Sequence, residues 1–551
     1  LRLVNCTRSQ LKGAVCEMFG APFEGTTFET VSTFNMEELR VIPAIDLKDM
    51  EGTYTIRRAL YVGHGLESNR TYRMRGYTLP DPDTQAAVHV IMDAKPVQDT
   101  VENFELTPEV SSRLRKKFTP RDGVEQHMYD VAGWLSRNVT KIKQRPDLHI
   151  AVDLVFHSVL GFNFNKEEVN KGWLELLVIG DTRCGKGYVA ERMAKHYRLG
   201  ETVTGENCSF AGLIGGLQKN NDYWFVSWGK WPLNDKRLLI IDEASAIPLE
   251  DMGKFSRVRS EGVAEIIKII TERTRARTRA IWLANSRSGR PINTYNNGVE
   301  AVAELFGNTE DVSRLDFALT VAASEVPSRV INSPPIDRGD QDDYSKDDFT
   351  NLVLWAWSRT PDQVHFTEGA TQLVLETAIR MGRAYSPTIP LVQAENIRIK
   401  LAKMAAATAA RCYSTDETGE QLIVKSHHVR FAYEFLTEIY AKPSMGYNVY
   451  SSTSISRNTI PNEDAVIDSI RKLGKHCFDF VEGMMDQSHI APSDLMALSG
   501  QDRWEVQDLI GKLVRLRCLS KDEGYGEFYS KRPGFTQLLR HMKELMNQEA
   551  R

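Results

Sequence analysis

Cysteine is scarce in this chain, and what there is does not pair. The seven thiols (Cys6, Cys16, Cys184, Cys208, Cys412, Cys477 and Cys518) are odd in number and widely spaced. No Cys-x-x-Cys occurs, so neither a disulfide framework nor a zinc ribbon is encoded, and reduced, mostly buried thiols are expected. A strong charge of one sign is lacking too, since the net charge is −4 over 551 residues. The chain as a whole is no polycation, and contact with a polyanion must come from local basic patches. No apolar run reaches the roughly 18 residues of a membrane helix. The first residues do not form a signal peptide, so a cytoplasmic location without a membrane partner is expected. No internal repeat is present. The chain opens on Leu1 rather than Met, as expected of a sequence that begins inside a longer protein. Hydrophobic residues make up 42%, enough for several cores, and the length fits a few domains.

Short stretches rich in β-branched and aromatic residues, Thr53–Val62, Arg70–Leu79 and Ala86–Asp93, alternate with turn residues over 1–105. They predict a small β-barrel of the OB kind. Thr107-Pro108-Glu109 then reads as a helix start, with Thr107 as cap. Over 173–320, the compact apolar runs Trp173–Ile179, Arg237–Ile241 and Ala280–Ala284 alternate with helical patterns, as buried parallel strands do. A Pro-, Asp- and Ser-rich connection covers about 325–348, and helices follow to 442. Ala394–Ala410 is built almost wholly of helix formers, with Arg and Lys on one side. The polar stretch 446–463 reads as a linker. After it, helices near 463–474 and 492 lead to a third, whose apolar face is Val506, Leu509, Ile510, Leu513 and Leu516. Gly524-Tyr525-Gly526 then supplies a wing-like turn, completing a winged-helix pattern.

The sharpest motif is Leu176-Leu-Val-Ile-Gly180-Asp-Thr-Arg-Cys-Gly185-Lys186-Gly187, an apolar strand, a glycine-bounded loop and a helix. Glycines let backbone amides face phosphates, the helix start adds partial positive charge, and Lys186 supplies a cation for the β and γ phosphates. An ordinary glycine turn is the alternative. The candidate phosphate contacts are Gly180, Asp181, Thr182, Arg183, Cys184, Gly185, Lys186, Gly187 and Tyr188. A Ser or Thr hydroxyl normally follows the Lys to bind Mg²⁺; Gly187 stands there instead.

Asp242 and Glu243 close the apolar run Leu238–Ile241. Two carboxylates at a strand end are costly unless they have partners or chemistry. Asp242 suits Mg²⁺ and Glu243 an attacking water; an acidic helix cap is the alternative. Asn285, at the end of Ala280–Ala284, suits positioning of that water, or simply a turn. Arg314, in Val312-Ser-Arg-Leu-Asp316, suits an arginine finger, or a surface salt bridge with Asp316.

From Gly180 to Asp316 the chain resembles the MCM (minichromosome maintenance) branch of AAA+ helicases. The resemblance rests on the Gly-Asp-x-x-x-x-Lys loop, Ser209-Phe-Ala-Gly-Leu213, Asp242-Glu243, Ala276-Arg-Thr-Arg-Ala-Ile-Trp-Leu-Ala-Asn285 and Ser313-Arg-Leu-Asp316, in the family's order. It implies an α/β AAA+ P-loop ATPase core with a helical lid, an N-terminal OB-like β-barrel and a C-terminal winged helix. The boundaries expected are 1–105 for the OB-like domain, 106–330 for the ATPase core, 331–445 for the lid, 446–462 for a linker and 463–551 for the winged helix. It further implies ATP and Mg²⁺ as cofactors, a hexameric homo-oligomeric ring, single-stranded or forked DNA as partner, and a loader protein. Arg398, in the lid helix, is chosen as the second sensor. Three departures mark a distant branch, of bacterial, phage or mobile-element type. Gly187 replaces the hydroxyl, zinc ligands are missing from the N-terminal part, and Ala-Ser-Ala follows the acidic pair.

In that family a hairpin before the sensor strand grips DNA in the ring channel. Here it falls near 266–277, making Lys268, Arg273 and Arg275 the candidate DNA contacts, or a solvated basic run. Arg277 and Arg279 read as structural, and Trp224, Trp228 and Trp231 as core rather than base-stacking residues. Arg503, Lys512, Arg515 and Arg517 lie outside the apolar face of the winged-helix region's third helix, facing phosphates, a partner or solvent. The expectation is an ATP-driven ring-shaped DNA helicase acting in replication. The rivals are an AAA+ protein remodeller and a DNA-binding scaffold whose ATPase has degenerated.

Overall fold

The computed structural model describes residues 8–20, 22–25, 27, 35–41, 57–66, 72–80, 87–96, 104–220, 223–331, 344–458, 460, 462–487, 489–521 and 528–549. Cys6, the wing turn expected at Gly524–Gly526 and the middle of the connection expected at 325–348 lie outside these residues. So do residues 53–56, 70, 71 and 86 of the three strands expected near the N-terminus.

The N-terminal strands form a four-stranded sheet in the order Met36–Val41, Arg57–Val62, Ala87–Pro96, Tyr72–Pro80. Its central pair is parallel and the outer pairs antiparallel. Among the described residues no pairing closes this sheet into a barrel. Thr107 caps the following helix, Pro108–Phe118, by accepting from the Val110 amide at 3.3 Å.

The centre of the molecule is a five-stranded sheet. Its strands are β1 (Glu175–Gly180), β2 (Glu201–Thr204), β3 (Leu238–Asp242), β4 (Arg279–Ala284) and β5 (Phe317–Val321). They stand in the order β5-β1-β4-β3-β2, and every neighbouring pair is parallel. β1, β4 and β5 are buried along their whole length, which is why the sequence shows unbroken apolar runs rather than alternation. Because all five strands run one way, their carboxyl ends share one edge of the sheet and their amino ends the other. Chain connections leave β1 and β4 in opposite directions, so the crevice above their carboxyl ends is the place where such sheets bind ligands.

Helix α1 (Lys186–Tyr197) follows β1, and helix α2 (Ser256–Glu261) leads into an antiparallel hairpin, Val263–Ile267 with Thr271–Arg275. A second hairpin pairs Gly215–Asn220 with Tyr223–Trp228. Helices Lys346–Ser358, Glu368–Ala384, α3 (Ile397–Arg411) and Ser426–Ala441 share a single core with the sheet. That core is continuous across residue 330, where the sequence reading drew a boundary.

The linker expected at 446–462 is instead mostly a helix, Tyr447–Asn458. Tyr447 is buried, donates its hydroxyl to Ile389 O at 2.6 Å and packs against the rings of Tyr385 and Tyr440. One anchored aromatic outweighs the weak helix propensity of the Ser- and Thr-rich run behind it.

A second core joins Ile460 to Met542. It holds helices Glu463–Arg471, Cys477–Asp486, Pro492–Ser499, Arg503–Arg515 and Pro533–Glu549 beside a small three-stranded sheet. Val506, Leu509, Ile510 and Leu513 face inward, while Arg503, Lys512, Arg515 and Arg517 stay exposed, with Lys512 engaged by Asp508. No helix among the described residues is long and apolar enough to cross a membrane.

Candidate functional site

At the carboxyl edge of the sheet lies a cleft of about 710 Å³. The loop from Thr182 to Tyr188, the pair Asp242 and Glu243 after β3, and Leu283–Asn285 at the end of β4 line it. Gly185 precedes α1 with φ of 84°, a left-handed conformation natural to glycine. Arg183 (φ 60°) and Glu243 (φ 51°) adopt such angles without that freedom, and local strain of this kind concentrates at functional sites.

Lys186 is 8% exposed. Its ammonium donates to Gly180 O at 2.9 Å, Asp181 O at 2.6 Å and Asn285 Oδ1 at 3.0 Å. Burial pushes it below the ordinary lysine pKa, against the pull of Cys184, Glu243, Asp242 and Asp181. Asn285 in turn donates Nδ2 to Glu243 Oε2 at 3.1 Å. A side-chain amide therefore bridges the buried cation and the carboxylate, although the three residues come from three different strand ends.

Asp242 accepts the Glu243 amide on Oδ1 at 2.9 Å. Its other oxygen faces α1: a Cβ built on Gly187 would sit 2.8 Å from Oδ2. The missing hydroxyl and the close carboxylate are thus one arrangement, in which the acid occupies space that a serine side chain would need. Among the described residues, no cluster of three His, Cys, Asp or Glu side chains is disposed to hold a metal. A single carboxylate facing the glycine-bounded loop does fit Mg²⁺, which keeps several waters and takes few protein oxygens.

Thr182, Arg183, Cys184 and Tyr188 also line the cleft. The Arg192 guanidinium lies over the Tyr188 ring, 4.9 Å from its centroid. Burial raises the Cys184 thiol pKa. Asp181 acts differently from its neighbours. Its carboxylate takes the amides of Ile292 and Ala323, both at 2.8 Å, bracing the loop against the segments that follow β4 and β5. Sequence reasoning missed Thr140, Lys141 and Ile142, which also line the cleft. Thr140 ends a π-helical turn, Ser136–Thr140, after which Lys141 is left-handed with φ of 61°. No spacing rule points to them.

Arg314 is not in this cleft. It donates to Asp311 Oδ1 at 3.0 Å and Glu310 Oε1 at 2.6 Å, rather than pairing with Asp316. It precedes β5, at the amino edge of the sheet. Since Phe317 lies beside Leu176 and Val321 beside Gly180, the length of a five-residue strand, about 16 Å, separates it from the loop of its own chain. Arg398 also lies away from the cleft, paired with Glu167 at 3.3 Å. Helix α3 instead sends Lys403 inward to Asp316, at 2.9 Å.

The hairpin expected near 266–277 spans 263–275, with Lys268 at its tip between Ile267 and Ile269, which are 66% and 65% exposed. Arg273 and Arg275 share one exposed face, Arg273 pairing with Glu265. Arg277 grips Asp235, and Arg279 is fully buried on Ser158 O and Lys236 O. Trp231 is core, packed near Trp282, whereas Trp224 is 38% exposed with Lys219 over its ring.

Compared with known proteins, the chain matches no family model, and no curated protein gives a significant match.

Proposed function

We propose that this chain is an ATP-hydrolysing DNA motor that works as a ring of like subunits, of the kind its motifs resemble. The observation that carries the reading is the Lys186–Asn285–Glu243 relay beside Asp242, at the mouth of one cleft. In this reading Lys186 meets the β and γ oxygens of a triphosphate threading the loop, leaving the acceptors that its ammonium now holds. Glu243 is placed to hold a water and take its proton as the water oxygen bonds to the γ phosphorus and the β–γ bridging bond breaks. Asn285 fixes the carboxylate that does this. Asp242 would hold Mg²⁺, which would supply charge neutralisation on the phosphates. Arg314, some 16 Å from its own loop, serves the cleft of the next subunit. The hairpin carrying Lys268, Arg273 and Arg275 supplies cations for DNA phosphates, and the exposed isoleucines at its tip suit sugar and base faces.

The test is ATP hydrolysis with and without single-stranded DNA, run beside Lys186→Ala. Hydrolysis that DNA stimulates and Lys186→Ala abolishes supports the motor. Absence of hydrolysis in the wild type favours the rival that Gly187 recommends, a DNA-binding scaffold. Hydrolysis indifferent to DNA favours a protein remodeller.

A further inference from the structure

The amino edge of the sheet holds a buried ionic network that the hydrolysis scheme does not use. At its centre is Arg259 of α2, 1% exposed. Its Nε donates to Glu175 Oε1 at 2.5 Å, its Nη1 to Asp311 Oδ1 at 3.2 Å and its Nη2 to Asp311 O at 2.9 Å. The guanidinium also lies over Trp282 and Phe306, 5.5 and 4.7 Å from the ring centroids. Glu175 begins the strand that ends in the phosphate loop, and Trp282, on the strand that leads to Asn285, donates its indole to the same Glu175 oxygen at 2.9 Å.

Asp311 joins this network to Arg314. It is fully buried, and its Oδ1 accepts from Arg259, from Arg314 and from Ser256, the last at 3.0 Å. Its Oδ2 has no hydrogen-bond partner. One oxygen thus serves three donors while the other serves none, so a second arrangement, with one arginine moved across to Oδ2, is open to the same residues. Two of the donors, Ser256 and Arg259, belong to α2, which runs into the hairpin through Gly262. The hairpin base is fastened to that helix by Ala276 N to Gly262 O at 2.7 Å and by the Arg257–Glu265 pair.

Resting on the proposed motor function, we infer that Arg259 is a positioning residue for Arg314. Through Asp311 it sets how Arg314 is presented to the neighbouring subunit, and because α2 continues into the hairpin, DNA on the hairpin changes that presentation. Such coupling requires a contact with two arrangements whose balance is biased from both ends, by DNA on the hairpin and by the neighbouring subunit on Arg314.

The experiment compares full-length wild type, Arg259→Gln, Arg259→Lys, Arg314→Ala and the Arg259→Gln/Arg314→Ala double variant. Steady-state ATP hydrolysis is read with and without single-stranded DNA, and fluorescent-ATP binding and DNA binding are measured separately. Arg259→Gln is expected to lower kcat tenfold or more with KM and both affinities within about twofold, and to bring the DNA stimulation ratio close to one. Arg259→Lys recovers part of the loss, and the double variant is no slower than Arg314→Ala, as residues acting through one another require. If Arg259→Gln fails to fold, the isosteric Asp311→Asn carries the same comparison. Retained DNA stimulation, or losses that multiply in the double variant, overturns the inference and leaves the motor standing. A wild type that hydrolyses no ATP, or an Arg314→Ala variant as fast as wild type, overturns the motor or its finger, and the inference with it.

Discussion

Replacing Gly187 tests whether Asp242 has taken over the space of the missing hydroxyl. A Cβ at this position falls 2.8 Å from Asp242 Oδ2, whereas a relaxed carbon–oxygen contact needs about 3.3 Å. The carboxylate must retreat by about half an ångström, and its Oδ1 is pinned by the Glu243 amide at 2.9 Å. Overpacking of this size costs about 1–3 kcal/mol, and if that cost falls on the transition state it is roughly a 5- to 150-fold loss of rate. Gly187→Ala should therefore lower kcat/KM for MgATP within that range and raise the Mg²⁺ concentration for half-maximal hydrolysis. Nucleotide binding in EDTA, which does not depend on the cation, should move by less than about twofold. Gly187→Ser carries the same Cβ and should not exceed the wild type, although it restores the hydroxyl found in most loops of this kind. A serine variant faster than wild type, or an alanine variant indistinguishable from it, would refute the steric argument.

Three further outcomes follow from particular contacts. Asp181→Ala removes two charge-assisted hydrogen bonds to Ile292 and Ala323, together about 3 kcal/mol. It should lower the melting temperature by about 3–4 °C and weaken nucleotide binding, with Asp181→Asn intermediate; unchanged melting would show that the brace is idle. Burial pushes the Lys400 ammonium down to about 7, far below the unfolded value near 10.4. The unfolded chain holds that proton more tightly, so stability rises as the pH climbs from about 7 towards 10. Lys400→Met should flatten the rise in melting temperature measured between about pH 6 and 9, and identical slopes in both proteins would count against it. Lys268→Glu, at the hairpin tip, should weaken single-stranded DNA binding and reduce the slope of log affinity against log salt by about 0.7, without changing hydrolysis measured in the absence of DNA.

The parts of the fold and site visible in sequence are those governed by local rules. β1, β3 and β4 announced themselves because strands buried on both faces need unbroken apolar runs, and the loop before Lys186 because glycines bound it at set intervals. Asp242, Glu243 and Asn285 stood out as polar residues ending such runs. What stayed hidden depends on partners distant in the chain. Arg259 and Lys403 look like surface cations in sequence, yet they are buried because Glu175, Asp311 and Asp316 wait for them across the fold. Thr140–Ile142 reach the cleft through an irregular helical turn with no periodic signature, and the helix at Tyr447–Asn458 depends on a pocket formed by Tyr385 and Tyr440. Local pattern locates chemistry that must be near the chain's own glycines and strand ends; it cannot locate charges whose burial is decided elsewhere.

The placement of Lys186 and Arg314 on opposite edges of one parallel sheet has a quantitative consequence for subunit mixing. If each cleft takes its loop from one protomer and its finger from the next, the contact is head-to-tail, and a ring is its closed form. Lys186→Ala supplies a sound finger and an impaired loop, and Arg314→Ala the reverse, so each variant alone is strongly slowed. In an equimolar mixture, a productive contact needs an intact loop from one variant facing an intact finger from the other. Chance gives each with probability one half, so about a quarter of the wild-type rate returns if contacts act independently. Less than that, rising steeply as wild-type subunits are added, means that contacts fire in concert. No recovery at any ratio, with mixed assembly shown by differently labelled subunits, would mean that Arg314 does not act across the subunit boundary, and its ion pairs with Glu310 and Asp311 would then be structural.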